Sequence, residues 1–422
     1  MERAARALDK CQREHLLIAA GVEKYRFLDD RPVPFETNPH FKAWLPLLEH
    51  PGCWLKVTPG HKPHLFYFQP EDFWHKPPAD PEGYWTEEFT ISVFRDPDAL
   101  RALLPPPERC AIVGEADAAR EDWVPDNPPA LLDHLHYHRA FKTGYELALM
   151  REASRLAVAG HRAAEAAFRA GASEWGIHHA YLRACGHGEL DLPYASIVGL
   201  NANAAILHYQ HRERIAPPQA LSLLIDAGAS ASGYAADITR TYSGKQGEFS
   251  ALVEKMDALQ RALVEQVRPG VDYRDLHRDC HRRLAVLLAE SGLLRCSPEQ
   301  ALEQDLVAPF FPHGLGHLIG LQVHDVAGFA ASEDGGRIER PEGHPYLRLT
   351  RRLEPGMVVT IEPGLYFIDS LLAKLRARPE GAHVDWARVE ALAPYGGIRI
   401  EDDVACTADA PENLSRDAFA AA

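Results

Sequence analysis

Four acidic residues set inside apolar, strand-like segments constrain this chain more than any other feature. They are Asp226 in LSLLIDAG, Asp237 in GYAADITRTY, Glu362 in VVTIEPGLY and Glu401 in GGIRIEDDVA. A carboxylate among apolar strand residues is costly to bury unless something pairs with it. Four of them carry a charge of −4 at pH 7, which two divalent cations would cancel. His317 in FPHGLGHLIG adds one imidazole. Hard oxygen donors with a single imidazole suit Mn²⁺, Mg²⁺ or Co²⁺ better than a closed structural Zn²⁺ site. The five residues therefore read as one metal centre.

The strand pattern supports their convergence. LSLLIDAG and GYAADITRTY read as a hairpin turning around Ala231 to Gly233. The midpoint between positions 226 and 237 falls between Ala231 and Ser232, so the two aspartates are expected to face each other. In GIRIED, strand alternation puts Arg399 and Glu401 on one face and Ile398 and Ile400 on the other. Arg399 is then placed to fix a ligand carboxylate or to touch a substrate.

A chain of 422 residues exceeds what one core usually serves, so two domains are expected. The formal net charge of −15 argues against a nucleic-acid partner, which needs basic patches. No apolar run approaches the length of a membrane span, so no membrane partner is expected. The segment MERAARALDKCQREHLLIAAG lacks the apolar core of a signal peptide. The seven cysteines are scattered and never spaced as CxxC, which fits free thiols in the cytoplasm.

Residues 1–140 alternate short helical and strand-like patterns and end in the proline-rich WVPDNPPALL, which marks a boundary. Residues 141–422 form the second domain. A long amphipathic stretch from LLDHLHYHRAF to AAFRAG is expected to be one helix opening it. Helices then follow at EFSALVEKMDALQRALVEQV and from Asp272 to Glu290, with strands returning at 353–368 and 397–407. The expected class is α+β: a mixed α/β N-terminal domain, then an antiparallel sheet backed by helices. His134, His136 and His138 alternate in DHLHYH, but only 134 and 138 would share a helix face. No acid accompanies them, and the run reads as plain surface.

The strings DAGASASGYAADITRT, HGLGHLIGLQVHD, TIEPGLYFID and GGIRIEDD, in that order, resemble the pita-bread metallopeptidases. Within them the chain most resembles the bacterial Xaa-Pro dipeptidases (prolidases), including organophosphorus acid anhydrolases. The resemblance runs from about residue 140 to the end and extends more loosely through FLDDRPVPFETNPHFKAWLP and FYFQPEDFWHKPP. It implies a curved antiparallel sheet with two divalent metals, most often Mn²⁺ with Co²⁺ able to substitute. Asp226 would chelate one ion, His317 and Glu362 the other, with Asp237 and Glu401 bridging. Glu362 would also shuttle the proton, and His324 and His208 would donate to the developing oxyanion and to the proline side. Arg348 in YLRLTRRLEPG would grip the free carboxylate of the substrate, and Tyr194 in LPYASIV would line the pocket. His313 is expected beside the site rather than in it. A homodimer is implied, the N-terminal domain serving dimerisation and as a pocket lid for the partner, with Trp85 a candidate aromatic.

The implied reaction is hydrolysis of small peptides, the Xaa-Pro dipeptides, by water activated between two divalent ions, with organophosphate hydrolysis as a side activity. Alternatives are an aminopeptidase P acting on longer Xaa-Pro peptides, and a non-catalytic binding module of the same fold. The last is disfavoured because such relatives lose metal ligands, whereas all five are present.

Overall fold

The computed structural model describes residues 1–422. The chain divides into two compact units, Met1–Arg139 with Ala330–Gly336, and Ala140–Phe329 with Arg337–Ala422. No helix is long and apolar enough to cross a membrane.

The first unit is built on a five-stranded mixed sheet in the order Thr90–Phe94, His64–Phe68, Trp54–Val57, His15–Ala19, Cys110–Val113. The two outer pairings are parallel and the two inner ones antiparallel. Side chains alternate between two cores: Leu16, Ile18, Leu55 and Val57 enter one, and Leu17, Ala19, Trp54 and Phe66 the other. Trp85 belongs to the first of these cores, 8% exposed and edge-on to Phe89 at 6.0 Å. That burial removes it as an aromatic available to another chain. Exposed aromatics in the same stretch of chain are Phe73, Trp74 and Tyr84, at 85%, 77% and 71%.

The stretch expected as one helix is two, Pro129–Arg139 and Gly144–Arg169. Thr143 and Glu146 start the second helix with a reciprocal cap. The threonine hydroxyl accepts from the Glu146 N–H at 3.3 Å, and the glutamate accepts from the Thr143 N–H at 2.7 Å. The break lies where one compact unit gives way to the next.

His134 and His138 share a face of the first of these helices, and they do have an acidic partner. Glu333, in the 330–336 hairpin, puts Oε2 2.6 Å from His138 Nε2 and 3.3 Å from His134 Nδ1. The acid lies far along the chain, so no local pattern could reveal it.

The second unit is α+β. The helices Gly144–Arg169 and Glu174–Cys185 share a core with the strands Ile197–Leu200 and Ser222–Asp226 through Phe168, Ile177, Tyr181, Val198, Leu223 and Ile225. The helices Glu248–Val264 and Tyr273–Glu290 bury Leu252, Met256, Leu276 and Leu284 in a core with Val359, Ile361, Ile398 and Ile400. Pro269 and Gly270 separate these two helices. Asp272 caps the second, accepting from the Arg274 N–H at 3.0 Å. Antiparallel ladders join Ser222–Asp226 to Thr239–Ser243, Val358–Ile361 to Asp402–Ala405, and Gly364–Tyr366 to Gly397–Arg399.

Candidate metal centre

The aspartate hairpin is shifted from the expected register. Asp226 pairs with Thr239, and the inner rungs are Ser230 with Ala235 and Ala231 with Tyr234. The turn is therefore Ser232–Gly233, at φ 48° and 86°. Two consecutive positive φ values make the type I′ turn that matches strand twist. Asp226 and Asp237 are thus not register partners, yet they converge. The Tyr194 hydroxyl lies 2.8 Å from Asp226 Oδ1 and 2.6 Å from Asp237 Oδ1. Between them the strands pinch so closely that a Cβ on Gly228 would collide with the Ala236 carbonyl, which explains the glycine of DAG.

Glu401 joins this row from the other side. It bridges to Thr239 through its backbone N–H at 3.1 Å, and its Oε2 accepts from the Thr239 hydroxyl at 2.6 Å. His317 and Glu362 come from two segments bonded to each other. The Thr360 N–H donates to the His317 carbonyl at 2.9 Å and the Glu362 N–H to the Leu315 carbonyl at 2.8 Å. His317 Nδ1 is 3.0 Å from the Leu318 carbonyl, which can only accept. The Nδ1 proton is thereby fixed, and Nε2 faces the acids. Nε2 stands 3.5 Å from Asp237 Oδ2 and 3.8 Å from Glu362 Oε1. One ligand atom each from Asp237, His317 and Glu401 lies within 4.8 Å of the other two.

The charges do not balance by themselves. Asp226, Asp237 and Glu401 are buried with His317, while Glu362 is half-buried beside them. Arg399 answers them from within, donating through Nη2 to Asp226 Oδ2 at 2.7 Å and through Nη1 to the Tyr366 hydroxyl at 2.9 Å. Burial, then the neighbouring carboxylates, drives Glu401 well above the usual carboxylate range. Burial pushes Glu362 up to about 7. Burial also works against ionised Asp237, but the His317 ring and the Tyr194 hydroxyl hold it low. Four carboxylates and one imidazole nitrogen, aimed at one another around a deficit of positive charge, fit two divalent cations.

A cavity of about 970 Å³ opens onto these residues. His208, His324, Arg348, Tyr194 and Arg399 all line it. His324 packs edge-on against His317, with ring centroids 4.4 Å apart, and partial burial with His317 and Arg348 nearby pushes it down to about 4. His208 and Arg348 are exposed on the wall, and no carboxylate is paired with Arg348. Tyr194 lines the cavity, but its hydroxyl is committed to the two aspartates. Arg399 is committed to Asp226 and Tyr366.

Residues 148–408 match the model of "Metallopeptidase family M24", and residues 1–137 match "Xaa-Pro dipeptidase, N-terminal domain". The chain belongs to the Xaa-Pro dipeptidases of metallopeptidase family M24. It is 58% identical over 421 residues to the Xaa-Pro dipeptidase of Xanthomonas campestris pv. campestris (strain B100), covering 99% of this chain and 96% of that protein. It is 54% identical to the Xaa-Pro dipeptidase of Stenotrophomonas maltophilia (strain K279a) over 422 residues, 100% of this chain and 95% of the other. Among solved structures, proline aminopeptidase P II from Yersinia pestis superposes with a TM-score of 0.73 at 26% identity, covering 99% of this chain and 95% of that one. The second unit is accordingly the pita-bread domain of an M24 metallopeptidase.

One contributor escaped the sequence, and another, His313, lies closer to the centre than expected. His313, expected beside the site, lines the cavity and stands 3.6 Å from Glu362 Oε2, with Nε2 bonded to the Tyr366 hydroxyl at 2.8 Å. Tyr366 thus ties His313 to Arg399. The histidine of PHGLGH was the available signal, but its glycines gave no period from which to place it. Asp403 accepts the Asp237 N–H at 2.9 Å, and burial drives it far above the carboxylate range. Its position in EDD, on the opposite strand face from Asp402, is the only hint.

Proposed function

We propose that this protein hydrolyses dipeptides whose second residue is proline, using two divalent ions held by Asp226, Asp237, His317, Glu362 and Glu401. The observation that carries the reading is the cavity itself: the five candidate ligands lie in it together with the unpaired, exposed Arg348. When bound, such ions lower the pKa of a water and polarise the scissile carbonyl. Glu362 accepts the proton of the attacking water and returns it to the prolyl nitrogen as the bond breaks. His324 donates to the oxygen that gains charge at the attacked carbon, and His208 contacts the proline side. Tyr194 and Arg399 hold Asp226, with Tyr194 also orienting Asp237, so the carboxylates need not reorganise during turnover. Arg348 receives the free carboxylate of proline in a charge-assisted pair.

The names carried by relatives at 54–58% identity support dipeptides over longer substrates. The ions are Mn²⁺, replaceable by Co²⁺, as the oxygen-rich donor set favours. The protein works in the cytoplasm, which its seven free cysteines fit. It works as a homodimer in which the N-terminal unit of one chain lids the other chain's cavity. Exposed Phe27, Leu28, Phe73 and Trp74 on that unit support the reading. Neutral organophosphates are slow side substrates, since their tetrahedral phosphorus is open to the same attack.

Metal-stripped protein reloaded with Mn²⁺ tests the core of this reading. Hydrolysis of Ala-Pro should return while Ala-Pro-Ala stays intact. Cleavage of Ala-Pro-Ala in preference to Ala-Pro would make the protein an aminopeptidase P, and no return of activity would refute the metal requirement.

A further inference from the structure

Away from the carboxylate centre, three histidines converge. His277 and His281 are one turn apart on the helix Tyr273–Glu290, so their rings leave the same face. His344 meets them from the turn closed by its own N–H on the Pro341 carbonyl. His277 Nε2 and His344 Nδ1 are 2.9 Å apart. Ring centroids are separated by 4.5 Å for 277 and 344, and by 4.7 Å for each pairing with 281. One nitrogen of each ring lies within 4.8 Å of the other two.

The setting favours a ligand. His277 and His281 are 1% and 8% exposed, and His281 Nε2 is buried with no hydrogen-bond partner. A buried ring nitrogen without a partner is uncommon and calls for an explanation. Phe311 covers the cluster, its centroid 5.3 Å from that of His281. Burial pushes His277 down to about 2 and His281 to about 3, so both rings are neutral, the form that coordinates metal. Arg278, whose charge bears on His277 and His344, is already paired with Asp275 at 2.8 Å.

We propose that His277, His281 and His344 form a separate cation site for Zn²⁺ or another nitrogen-preferring divalent ion. Three imidazoles leave a fourth tetrahedral position for water. The Zn–N bond length sets ligand nitrogens about 3.3 Å apart in a tetrahedron, so the 277 and 344 rings need open by only a few tenths of an ångström. The site contains no carboxylate. It therefore selects differently from the oxygen-rich centre, which suits Mn²⁺. Its consequence lies in the loop it clamps: Arg340, Pro345, Tyr346 and Arg348 flank His344 in sequence and line the cavity. Occupancy fixes this rim to the helix and so acts on substrate admission.

Full-length protein stripped of metal, saturated with Zn²⁺ and desalted should hold one equivalent more per chain than His344→Ala or His281→Gln prepared identically. Each variant is first checked for an unchanged circular dichroism spectrum, and the one that folds decides. Equal counts overturn the proposal. The readout is a difference, so a wrong count at the carboxylate centre would change both totals and leave it intact. Co²⁺ gives a second reading. The wild type should show the intense visible absorption of tetrahedral cobalt, which His344→Ala should lack, and identical spectra would equally overturn the site.

Discussion

Arg399 and Asp226 are joined by a 2.7 Å hydrogen bond between a guanidinium nitrogen and a carboxylate oxygen, both side chains buried. This pair couples the architecture of the centre to its charge, because Arg399 is the cation built into a ring of acids. Removing one partner of a buried pair strands the other, at a cost of about 3–5 kcal/mol. Arg399→Met should therefore lower the stability of metal-free protein by that order, measured by urea unfolding. The loss should be smaller once metal is bound, because the ions then answer Asp226. An unchanged urea midpoint for the metal-free variant would mean the pair contributes nothing.

Asp237 and Glu401 are read as the bridging ligands, so a neutral amide at either should weaken both ions. Asp237→Asn and Glu401→Gln should each abolish Ala-Pro hydrolysis and lower the metal content of purified protein. Thr239, which donates to Glu401 at 2.6 Å, can still donate to a glutamine oxygen, so the fold should survive. Full metal occupancy in an inactive variant would move that residue from metal binding to the chemistry.

The candidate ligands stood out because each acid sits in an apolar run where burial demands a partner, and the structure gathers all five around one cavity. Alternation also placed Arg399 beside Glu401, and both line the cavity. What failed depended on a single residue or on distant chain. The turn fell at Ser232–Gly233 because serine accepts a positive φ there, and nothing in ASASG separates that choice from its neighbours. The helix break at 140–143 did carry a signal, the T-x-x-E from Thr143 to Glu146, but it was outweighed by apolar spacing on both sides. Glu333 reaches His138 from 195 residues away, and His344 reaches His277 from 67 residues away, so neither contact shows in a local pattern. Trp85 illustrates the limit of resemblance: a residue type in the right region was buried in its own core.

Acid should destabilise the protein through His161. This ring is buried, donates to the Ala227 carbonyl at 3.0 Å, and is pushed down to about 3 by burial and then by Arg240. The folded pKa lies below the ordinary value of 6.5. Between these limits the unfolded chain binds a proton that the native state refuses, so stability is full above pH 6.5 and falls as pH drops toward 3. The shift corresponds to a loss on the order of 4 kcal/mol by pH 3. His161→Asn should flatten the fall in urea midpoint between pH 7 and pH 4.5 relative to wild type. Parallel curves would assign the acid sensitivity to other groups.

The proposed dimer predicts that light scattering gives twice the 46.9 kDa chain mass. It also predicts that Trp74→Glu or Phe73→Glu, both exposed on the N-terminal unit, shifts the mass toward the monomer and lowers activity together. A monomer at full specific activity would rule the dimer out as a functional unit.

Arg348 should explain why cleavage stops at dipeptides. A dipeptide ending in proline presents its carboxylate next to the scissile bond, where a longer peptide presents an amide. Because Arg348 is exposed in the cavity, discrimination rests on the pair gained with the carboxylate rather than on a charge stranded in a dry site. A hydrogen bond to a charged partner contributes about 1.5–3 kcal/mol. Arg348→Ala should lower kcat/KM for Ala-Pro by that amount, mostly through KM, and leave a neutral organophosphate nearly untouched. Equal damage to both substrates would make the residue structural. Damage to neither would pass the role to Arg340, which shares the cavity wall, donates to the Leu347 carbonyl at 2.6 Å and stacks on Phe329. Arg340→Ala would then have to show the loss that Arg348→Ala did not.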